Sequence, residues 1–591
     1  MRTFRLAAIL FCVAALTAGG VYAALEVGAP AQSSLAAYAP PGALLAIESP
    51  DFGSLLRSWN SSSEQRHWLA GDDYAAFSRS RLFGRLGDAQ SEFATAAGLS
   101  PDTHFVEQVA GTESLFAWYD IGNLEFLYIT RLSSEQSAKM PLLALRERFE
   151  QRQAGGVTFY VRTSTDAGTP DAGNGPDSSR PRTVAFAVRG DLLLLATRED
   201  LIAGALEQIA HPSDRSLATD PWYAASVAVA NERPGDLRLT LDLAKITRSP
   251  YFRSYWVQQN ITATRRYTAA LSDLYREPGV FREERFLVPA STTQPAVNAD
   301  LAPVLQFLPP GVVYRAVAHP SADEALANLE DKLLARTAAN EANPREAPAA
   351  QLTVPIAGDP SDFDNRIDTV KASTDARVTA LSALQALLAS NVPIATLSVS
   401  TADENKAPSD PKSIFHAIHS GVVLEMQNAC DAVAWKHGLT AALSPRVSVG
   451  EAGLGWSEQS GAKVPWFRLD GTFPLAFAAE GNTCLIATDS GTLSAMLSAS
   501  NAAGAHQLSA SSVAGFSHAA QRRPLLELAA LLDHRGGRVA GAFGDKPPFF
   551  SGNMASLSNM FEDLDSETFT ELQASPTLTR QTVRYTLRQH E

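Results

Sequence analysis

Two stretches of the chain share one pattern of apolar strands around a glycine turn. Residues 186–197 read Phe-Ala-Val-Arg-Gly-Asp-Leu-Leu-Leu-Leu-Ala-Thr, and residues 477–488 read Phe-Ala-Ala-Glu-Gly-Asn-Thr-Cys-Leu-Ile-Ala-Thr. Gly-Asp or Gly-Asn between two apolar runs is typical of the two-residue turn of a β-hairpin. Each stretch therefore predicts a hairpin that turns at Gly190 or Gly481. After the first hairpin, Thr197 and Asp200 have the spacing of a capping box, which predicts the start of a helix.

Two further pairs of segments repeat in the same order along the chain. Residues 40–42 and 309–311 both read Pro-Pro-Gly and precede a short apolar strand. Each strand is followed by a proline, Pro50 or Pro320, which we expect in the first turn of a helix. The closing segments also correspond, each with the pattern of a hairpin around a proline-containing turn, at residues 271–288 and 569–587. Three pairs in one order predict an internal duplication.

The predicted fold class is α+β, with two tandem copies of a mainly antiparallel sheet packed with helices. Copy 1 is expected over residues 38–290 and copy 2 over residues 305–590. Within copy 1, apolar spacing predicts an amphipathic helix over residues 82–97, and Gly122-Asn123 predicts a hairpin over residues 114–131. Consecutive hairpins with helices between them favour this class over a doubly wound fold. Residues 164–181 are Ser, Thr, Asp, Gly, Pro and Ala with few exceptions, which predicts a disordered loop.

Residues 1–25 have the pattern of a signal peptide or an N-terminal membrane anchor. Arg2 and Arg5 precede an uncharged run, and Val21-Tyr22-Ala23 offers the small residues that a signal peptidase accepts. The uncharged run is also long enough for a retained anchor. In either case the positive end stays in the cytoplasm, and the remaining chain is expected in the periplasm or otherwise outside the cytoplasm.

The amino-acid composition limits the classes of partner that the chain can bind. The chain has 49 Lys and Arg against 63 Asp and Glu, a net charge of −14. This acidic balance argues against nucleic acid, and it predicts attachment to a membrane only through the N-terminal segment. Cys430 and Cys484 are the cysteines beyond residue 23. An oxidising compartment would permit a disulfide between them, and two buried free thiols are the alternative.

A resemblance to a known family follows from these motifs. The Pro-Pro-Gly strand near an export signal, the hairpin followed at once by a helix, and the closing hairpin are similar to the DUF3352 family of exported bacterial envelope proteins. Residues 186–206 carry the resemblance, with support from residues 44–56 and 236–256. It implies an envelope location and a similar fold. The family has no assigned function, so it implies no catalytic residues.

The sequence contains no motif that identifies a catalytic residue or a cofactor site. Gly455-Trp-Ser457-Glu-Gln459 lacks the second glycine of a nucleophile elbow, and Ser409-Asp-Pro-Lys412 lies in a polar loop broken by proline. The sequence contains no P-loop motif. The aromatic run at residues 251–256 is more typical of a core helix than of a binding platform. The acidic run at residues 562–567 is expected at a solvated helix end.

His416 and His419 are weak candidates for a metal site. If they lie on a helix, their spacing puts both rings on one face, where Glu425, Cys430 or His437 could complete a tetrahedron. Surface or packing histidines are the alternative, since the sequence contains no His-Glu-x-x-His motif.

These observations favour a non-catalytic envelope protein, a binding or structural scaffold whose partner is an unidentified ligand or another envelope protein. Two alternatives remain at this level: a secreted hydrolase of an unrecognised type, and a periplasmic carrier or chaperone with an apolar cleft.

Overall fold

The structure is a computed structural model that describes residues 34–70, 74, 78, 81–120, 123–164, 182–230, 234–248, 264–291, 298–334, 381–402, 418–443, 454–459, 464–469, 475–500, 507–526 and 563–588. The chain divides into two compact units. Unit 1 contains the residues up to Ala43 together with Glu92–Ala224, and unit 2 contains Leu44–Ser91 together with Ala225–Glu591. The two units are defined by their compactness, whereas the predicted copies are defined by repeated structure. The boundaries of the units therefore differ from those of the copies.

The described strands follow the chain in this order: β1 (Leu45–Ser49), β2 (Ser114–Asp120), β3 (Glu125–Arg131), β4 (Glu150–Ala154), β5 (Val157–Ser164), β6 (Arg182–Arg189), β7 (Leu192–Ala196), β8 (Leu237–Asp242), β9 (Tyr267–Glu277), β10 (Val280–Pro289), β11 (Ala299–Asp300), β12 (Val313–Ala318), β13 (Pro393–Ala402), β14 (Ile418–Met426), β15 (Trp456–Gln459), β16 (Trp466–Leu469), β17 (Leu475–Glu480), β18 (Thr483–Ala487), β19 (Ser509–Ala510), β20 (Ser512–Ser517), β21 (Leu564–Ser575) and β22 (Leu578–Leu587).

The described α-helices are α1 (Phe52–Ser61), α2 (Ser63–Ala70), α3 (Arg81–Ala97), α4 (Thr103–Val109), α5 (Ser134–Ala138), α6 (Pro141–Ala144), α7 (Glu199–Ala210), α8 (Pro221–Val229), α9 (Leu243–Ile246), α10 (Ala302–Leu305), α11 (Ala322–Leu329), α12 (Ala432–Leu443) and α13 (Ser490–Ser500). Residues 381–390 and 518–526 are also helical. Within the part of the chain that the structure describes, no helix is both long enough and apolar enough to cross a membrane.

Unit 1 is an antiparallel sheet with the strand order β2-β3-β7-β6-β5-β4. Helix α7 packs on it with one buried apolar stripe, formed by Leu201, Ile202, Ala205 and Leu206. Phe186 is fully buried in β6 and stacks on Tyr160, with 4.9 Å between the ring centroids. Because β7 is buried at every residue, its Leu-Leu-Leu-Leu-Ala sequence suits a strand that is covered on both faces.

Unit 2 is a larger antiparallel sheet with the strand order β1-β8-β9-β10-β22-β21-β20-β12-β13-β14-β18-β17-β16-β15. Its core lies on both sides of β14 and β18. Val422 belongs to a cluster with Trp435 and Phe477, and the next residue, Val423, belongs to another cluster with Phe307. Successive side chains of a strand point to opposite faces, so a continuous apolar run fills both clusters.

The strand pair β10–β22 connects two ribbons within unit 2. It is antiparallel and pairs eight residues of each strand, from Val280 opposite Thr586 to Leu287 opposite Thr579. On one side β10 continues to β9 and β8, and on the other β22 continues to β21 and β20. The order β8-β9-β10 is thus repeated outward from the pair as β20-β21-β22.

The structure confirms the α+β class with a large antiparallel sheet, and it confirms the predicted hairpins. Residues 186–197 lie in β6 and β7 and residues 477–488 in β17 and β18, apart from the two turn residues and the last threonine of each stretch. Gly190 has a φ of 60° and Gly481 a φ of 59°, and the residue after each glycine has a negative φ. A positive φ at the first turn residue is what a type II′ hairpin turn requires.

The prolines that follow the Pro-Pro-Gly strands are in a slightly different place from the prediction. Pro50 precedes Asp51, the N-cap of α1, and Pro320 precedes Ser321, the N-cap of α11. The Ser321 hydroxyl accepts a hydrogen bond from the Glu324 amide, and the Glu324 carboxylate accepts one from the Ser321 amide. In both helices the N-cap side chain accepts a hydrogen bond from a free amide of the first turn. Each proline therefore precedes the helix and is not part of its first turn.

Replacing Gly190 with valine is expected to lower the free energy of unfolding by about 1–3 kcal/mol, because a β-branched residue is strained at positive φ. A Cβ atom at Gly190 would meet no atom within 4 Å, so steric overlap adds nothing to this effect. Gly190→Asn is the matched control, since asparagine tolerates this backbone conformation. Urea unfolding of both variants measures the difference, and equal losses for valine and asparagine would contradict the strain argument.

Candidate functional site

Asp489 connects the end of β18 to the start of α13 and holds His419 of β14. The Nδ1 atom of His419 lies 2.8 Å from the Asp489 carboxylate, which also accepts hydrogen bonds from the Thr492 amide at 2.9 Å and the Thr492 hydroxyl at 2.8 Å. The preceding residue, Thr488, accepts a hydrogen bond from the Ser420 amide. We call this cluster the β18–α13 corner. Its ring and carboxylate are about four-fifths and three-quarters buried, respectively.

The environment keeps Asp489 ionised. Burial alone would raise the pKa of this carboxyl group, but the hydrogen bonds from His419 and Thr492 outweigh burial and lower the pKa well below its usual range. An ionised Asp489 can only accept at this distance, so Nδ1 of His419 carries the shared proton. The pair can orient a histidine ring, which is one part of the arrangement that general-base catalysis uses.

The corresponding corner of unit 1 lies between β7 and α7. Thr197 accepts a hydrogen bond from the Phe126 amide, as Thr488 does from Ser420. The next residue, Arg198, forms ion pairs with Glu125, at 2.8 Å, and with Asp200. The predicted capping box is wrong, because Arg198 is the N-cap and has no capping hydrogen bond, and Thr197 instead binds the start of β3. Asp200 serves as a partner of Arg198.

The two corners place an acid and a basic side chain in opposite order along the chain. In unit 1 the acid Glu125 precedes Phe126, whose amide donates to Thr197, and the base Arg198 follows Thr197. In unit 2 the same two places hold His419 and the acid Asp489. Each corner is therefore held by an ion pair or a charge-assisted hydrogen bond. The acid comes from the strand in unit 1 and from the residue after the threonine in unit 2.

The Pro-Pro-Gly turn of unit 1 is held by polar contacts. The Tyr119 hydroxyl donates to the Pro40 carbonyl at 2.7 Å, and the Gly42 amide donates to the Asp220 carboxylate at 2.8 Å. Burial raises the pKa of Tyr119, and the nearby Asp220 raises it further, so the phenol stays protonated and keeps donating. The Tyr119 hydroxyl and the Asp220 carboxylate therefore both hold the Pro-Pro-Gly turn in place.

The structure does not place His419 on a helix, as the metal hypothesis assumed. His419 is the second residue of strand β14, and His416 lies outside the described residues. Glu425 is in the same strand, six residues and therefore about 20 Å further along. Burial raises the pKa of Glu425, and its side chain accepts a hydrogen bond from Asn482. Among the residues that the structure describes, no group of three His, Cys, Asp or Glu side chains is arranged to hold a metal ion.

Cys430 and Cys484 form a disulfide, with 5.6 Å between their Cα atoms. Cys484 is fully buried in β18, and Cys430 lies two residues before α12. The bond therefore attaches the start of α12 to the sheet that the helix covers. Because Cys430 is bonded to sulfur, it is not a ligand for a metal.

A network of buried charges runs across strands β8, β9, β10 and β22 of the unit 2 sheet. Arg238 of β8 binds Asp273 of β9 through two hydrogen bonds of 2.7 and 2.8 Å, and the two side chains are 8% and 0% exposed. Directly opposite Asp273, Glu284 of β10 is bound by Arg282 and by Arg580 of β22. Buried carboxylates need such partners, because an unpaired buried charge costs several kcal/mol. None of these residues belongs to a recognisable sequence motif, although a charged residue inside an apolar strand pattern is a usable signal.

Other segments noted in the sequence fall in different places. The aromatic run at 251–256, the Ser-x-x-Lys segment at 409–412 and residues 165–181 lie outside the described residues. The acidic run is not at a helix end, since its residues from Leu564 onward belong to strand β21. There Glu567 alternates with serine and threonine, which is the pattern of a half-exposed strand.

Asp489→Asn is expected to lower the free energy of unfolding at pH 7 by about 1–2 kcal/mol, because the charge-assisted bond to His419 is lost while asparagine still caps α13. The folded-state pKa is below the ordinary 3.8, so the contribution of Asp489 is present above pH 3.8 and is lost as the pH falls through the folded-state value. Urea unfolding from pH 7 to acid should show the two proteins converging.

Asp431→Asn is the control for that substitution. Asp431 accepts hydrogen bonds from the Val433 and Ala434 amides at the start of α12. The amide should replace it at that cap with a smaller loss. Equal stability of Asp489→Asn and the unmodified protein at pH 7 would contradict the role given to the His419 pair.

Replacing both Cys430 and Cys484 with alanine is expected to lower the free energy of unfolding by about 2–4 kcal/mol, because the bond closes a loop between residues 54 apart. Reductant should destabilise the unmodified protein by a similar amount and leave the double variant unchanged. Urea unfolding with and without reductant measures both effects. A reductant effect on the double variant would show that the loss has another origin.

Comparison with known proteins gives little similarity. No protein-family model and no curated protein matches the chain. Solved structures of TP0453, in crystal forms IV, I and III, align with TM-scores of 0.23, 0.23 and 0.24 and sequence identities of 9%, 10% and 9%. The alignments cover 43%, 45% and 45% of this chain and 79%, 82% and 84% of those chains. Scores this low carry no inference for this chain.

Proposed function

We propose that this protein is an exported or N-terminally anchored envelope protein that acts as a non-catalytic binding or structural scaffold. The observation that carries the proposal is that the clustered ionisable groups named below bind other groups of the protein. Asp489 and His419 close one strand–helix corner, Arg198 and Glu125 close another, and the Arg238–Asp273 pair is buried inside the sheet. Each of these groups binds the protein itself, which is typical of architecture and unlike a site that leaves a nucleophile and a base facing a substrate.

The scaffold consists of two tandem copies of one α+β unit. Strand pairing supports this proposal. The order β2-β3-β7-β6-β5-β4 in unit 1 corresponds to the order β13-β14-β18-β17-β16-β15 in unit 2. The registers correspond as well, because Leu127 is opposite Ala196 and Gly421 is opposite Ala487, the last residue before the corner threonine in both sheets. A one-residue slip would exchange the two faces of a strand, so a shared register is a specific form of similarity.

The proposed location outside the cytoplasm has two supports. Arg2 and Arg5 before an uncharged run are typical of an exported or anchored chain. The disulfide between Cys430 and Cys484 is stable in an oxidising compartment and rare in the cytoplasm. The partner of such a scaffold is a ligand or another protein of the envelope.

A reporter that is active only outside the cytoplasm, fused after Glu591, is expected to be active in cells. The positive residues before the uncharged run set this orientation, so Arg2→Glu with Arg5→Glu should reduce the activity. A reporter that is active only in the cytoplasm provides the complementary measurement. Its activity in the unmodified fusion would refute the proposed location.

A further inference from the structure

Exposed apolar side chains are concentrated on consecutive helices near the start of the described chain. Within the residues that the structure describes, the exposed large apolar side chains are Trp59, Leu69, Leu86, Val227 and Val433. The last two stand singly on α8 and α12, whereas the first three lie on α1, α2 and α3 in turn. Apolar residues that are scattered singly over a surface need no explanation, but a cluster of them marks an interaction site.

The three helices are connected by contacts between their side chains. Gln65 of α2 donates a hydrogen bond to Asn60 at the end of α1, at 3.1 Å. The Tyr74 ring lies 6.1 Å from the Trp68 ring of α2 and 6.1 Å from the Phe83 ring of α3, measured between centroids. We call the surface formed by Trp59, Trp68, Leu69, Tyr74, Phe83 and Leu86 the tryptophan face. All of it belongs to unit 2.

The second copy of the proposed duplication buries a position that is exposed on this face. Asp51 is the N-cap of α1, and Ser321 is the N-cap of the corresponding helix α11. Eight residues after the cap, α11 has Leu329, which is fully buried, and α1 has Trp59, which is 42% exposed. None of the large apolar side chains of α1 and α2 is buried. A position that is core in α11 therefore faces outward in α1, and it is occupied by tryptophan.

The polar residues around the tryptophan face are unusual for this acidic chain. Residues 52–70 contain two arginines, Arg57 and Arg66, which are both exposed, and one acid, Glu64. The other polar residues of this segment are mainly serine, whereas the whole chain has a net charge of −14. A surface of anionic lipid repels the acidic body and attracts it only where basic residues outnumber acids.

A helix that lies in the headgroup layer of a membrane presents the same combination of side chains. Tryptophan has an apolar ring system with one polar N–H group, and arginine has an apolar stem with a charged end. Both side chains therefore reach from the acyl chains to the headgroups. The tryptophan face offers both kinds of residue on α1 and α2.

The N-terminal segment selects a bilayer as the occupant of this face. Its uncharged run ends at Leu25, 27 residues before Phe52, so a retained anchor keeps α1 within about 90 Å of the membrane. Tethering raises the effective concentration of the membrane at the face, so a weak affinity is sufficient for contact.

We propose that the tryptophan face lies on the anionic phospholipid bilayer that holds the N-terminal segment, with its rings at the acyl chains and Arg57 and Arg66 on the phosphate groups. This contact orients the scaffold on the membrane surface, in addition to the attachment through residues 1–25. The inference rests on the proposed exported or anchored location for the source of the bilayer.

The experiment measures contact between the face and lipid in the full chain. Leu69→Cys is labelled with bimane in a chain that also carries Cys12→Ser. Because Cys430 and Cys484 are bonded to each other, position 69 then has the only free thiol. The protein is reconstituted through its N-terminal segment into vesicles of about equal parts phosphatidylglycerol and phosphatidylcholine with brominated acyl chains. We expect bromine to quench most of the fluorescence at position 69, and much less in vesicles of phosphatidylcholine alone.

Val433→Cys is the matched control for the position of the label. Val433 is also an exposed apolar residue, at 74%, but it lies singly on α12 and is attached to the same vesicles through the same N-terminal segment. Bimane at position 433 should keep its fluorescence. Neither replacement should alter urea unfolding, since both side chains are exposed.

The role of charge is tested by Arg57→Gln with Arg66→Gln in the chain labelled at position 69. Removing both arginines should restore most of the fluorescence, since each contributes about fivefold to the affinity for an anionic surface. Arg146→Gln with Arg215→Gln changes the net charge equally at two exposed arginines of unit 1 and should have no effect.

Equal quenching at positions 69 and 433, equal quenching in neutral vesicles, or an equal effect of the two arginine pairs would each overturn the proposed face. A blue shift of the label that grows with protein concentration in detergent would assign the face to a second copy of the chain and would also overturn the proposal. The reporter experiment measures location independently of this label, so the scaffold proposal stands or fails separately.

Discussion

The pairing of β10 with β22 is the interaction on which the architecture of unit 2 depends. Backbone hydrogen bonds between these two strands convert two separate ribbons into one sheet, and each ribbon would otherwise present an open edge. The same pair of strands also carries a buried ion pair, because Glu284 of β10 is bound by Arg580 of β22 and by Arg282 of its own strand. A one-residue slip would move Arg580 to the other face of the sheet and leave this buried carboxylate without its partner from β22.

Much of the local structure could be predicted from the sequence. Gly190 and Gly481 mark their turns because each follows an apolar run and precedes a small polar residue, and this chemistry depends on two or three neighbouring residues only. Helix α3 and the hairpin of β2 and β3 follow from periodicity in the same way. The antiparallel class follows from consecutive hairpins, because short turns leave no room for a crossover.

The polar contacts could not be predicted in this way, because they join residues that are distant in the chain. Thr197 was expected to cap its own helix, but its hydroxyl reaches an amide 71 residues earlier, which competes successfully with the local cap. His419 belongs to a strand because the apolar run that follows it forms the core of the sheet, and the spacing of two histidines gives no information about that run. Arg238 and Asp273 meet only because β8 and β9 are neighbours. The whole sheet determines which strands pair, so the sequence of one segment does not predict its neighbour.

The opposite order of acid and base in the two corners has a consequence for how the chain folds. Two similar hairpins in one chain can exchange, each inserting into the sheet of the other, and such exchange is a common error of proteins with repeated parts. If the β6–β7 hairpin entered the sheet beside β14, Arg198 would face His419, and in the reverse exchange Asp489 would face Glu125. The first arrangement leaves Arg198 with Asp200 as its acid and leaves His419 without one, and the second places two carboxylates together. We expect this mismatch to disfavour both exchanged arrangements and so to keep each hairpin with its own sheet.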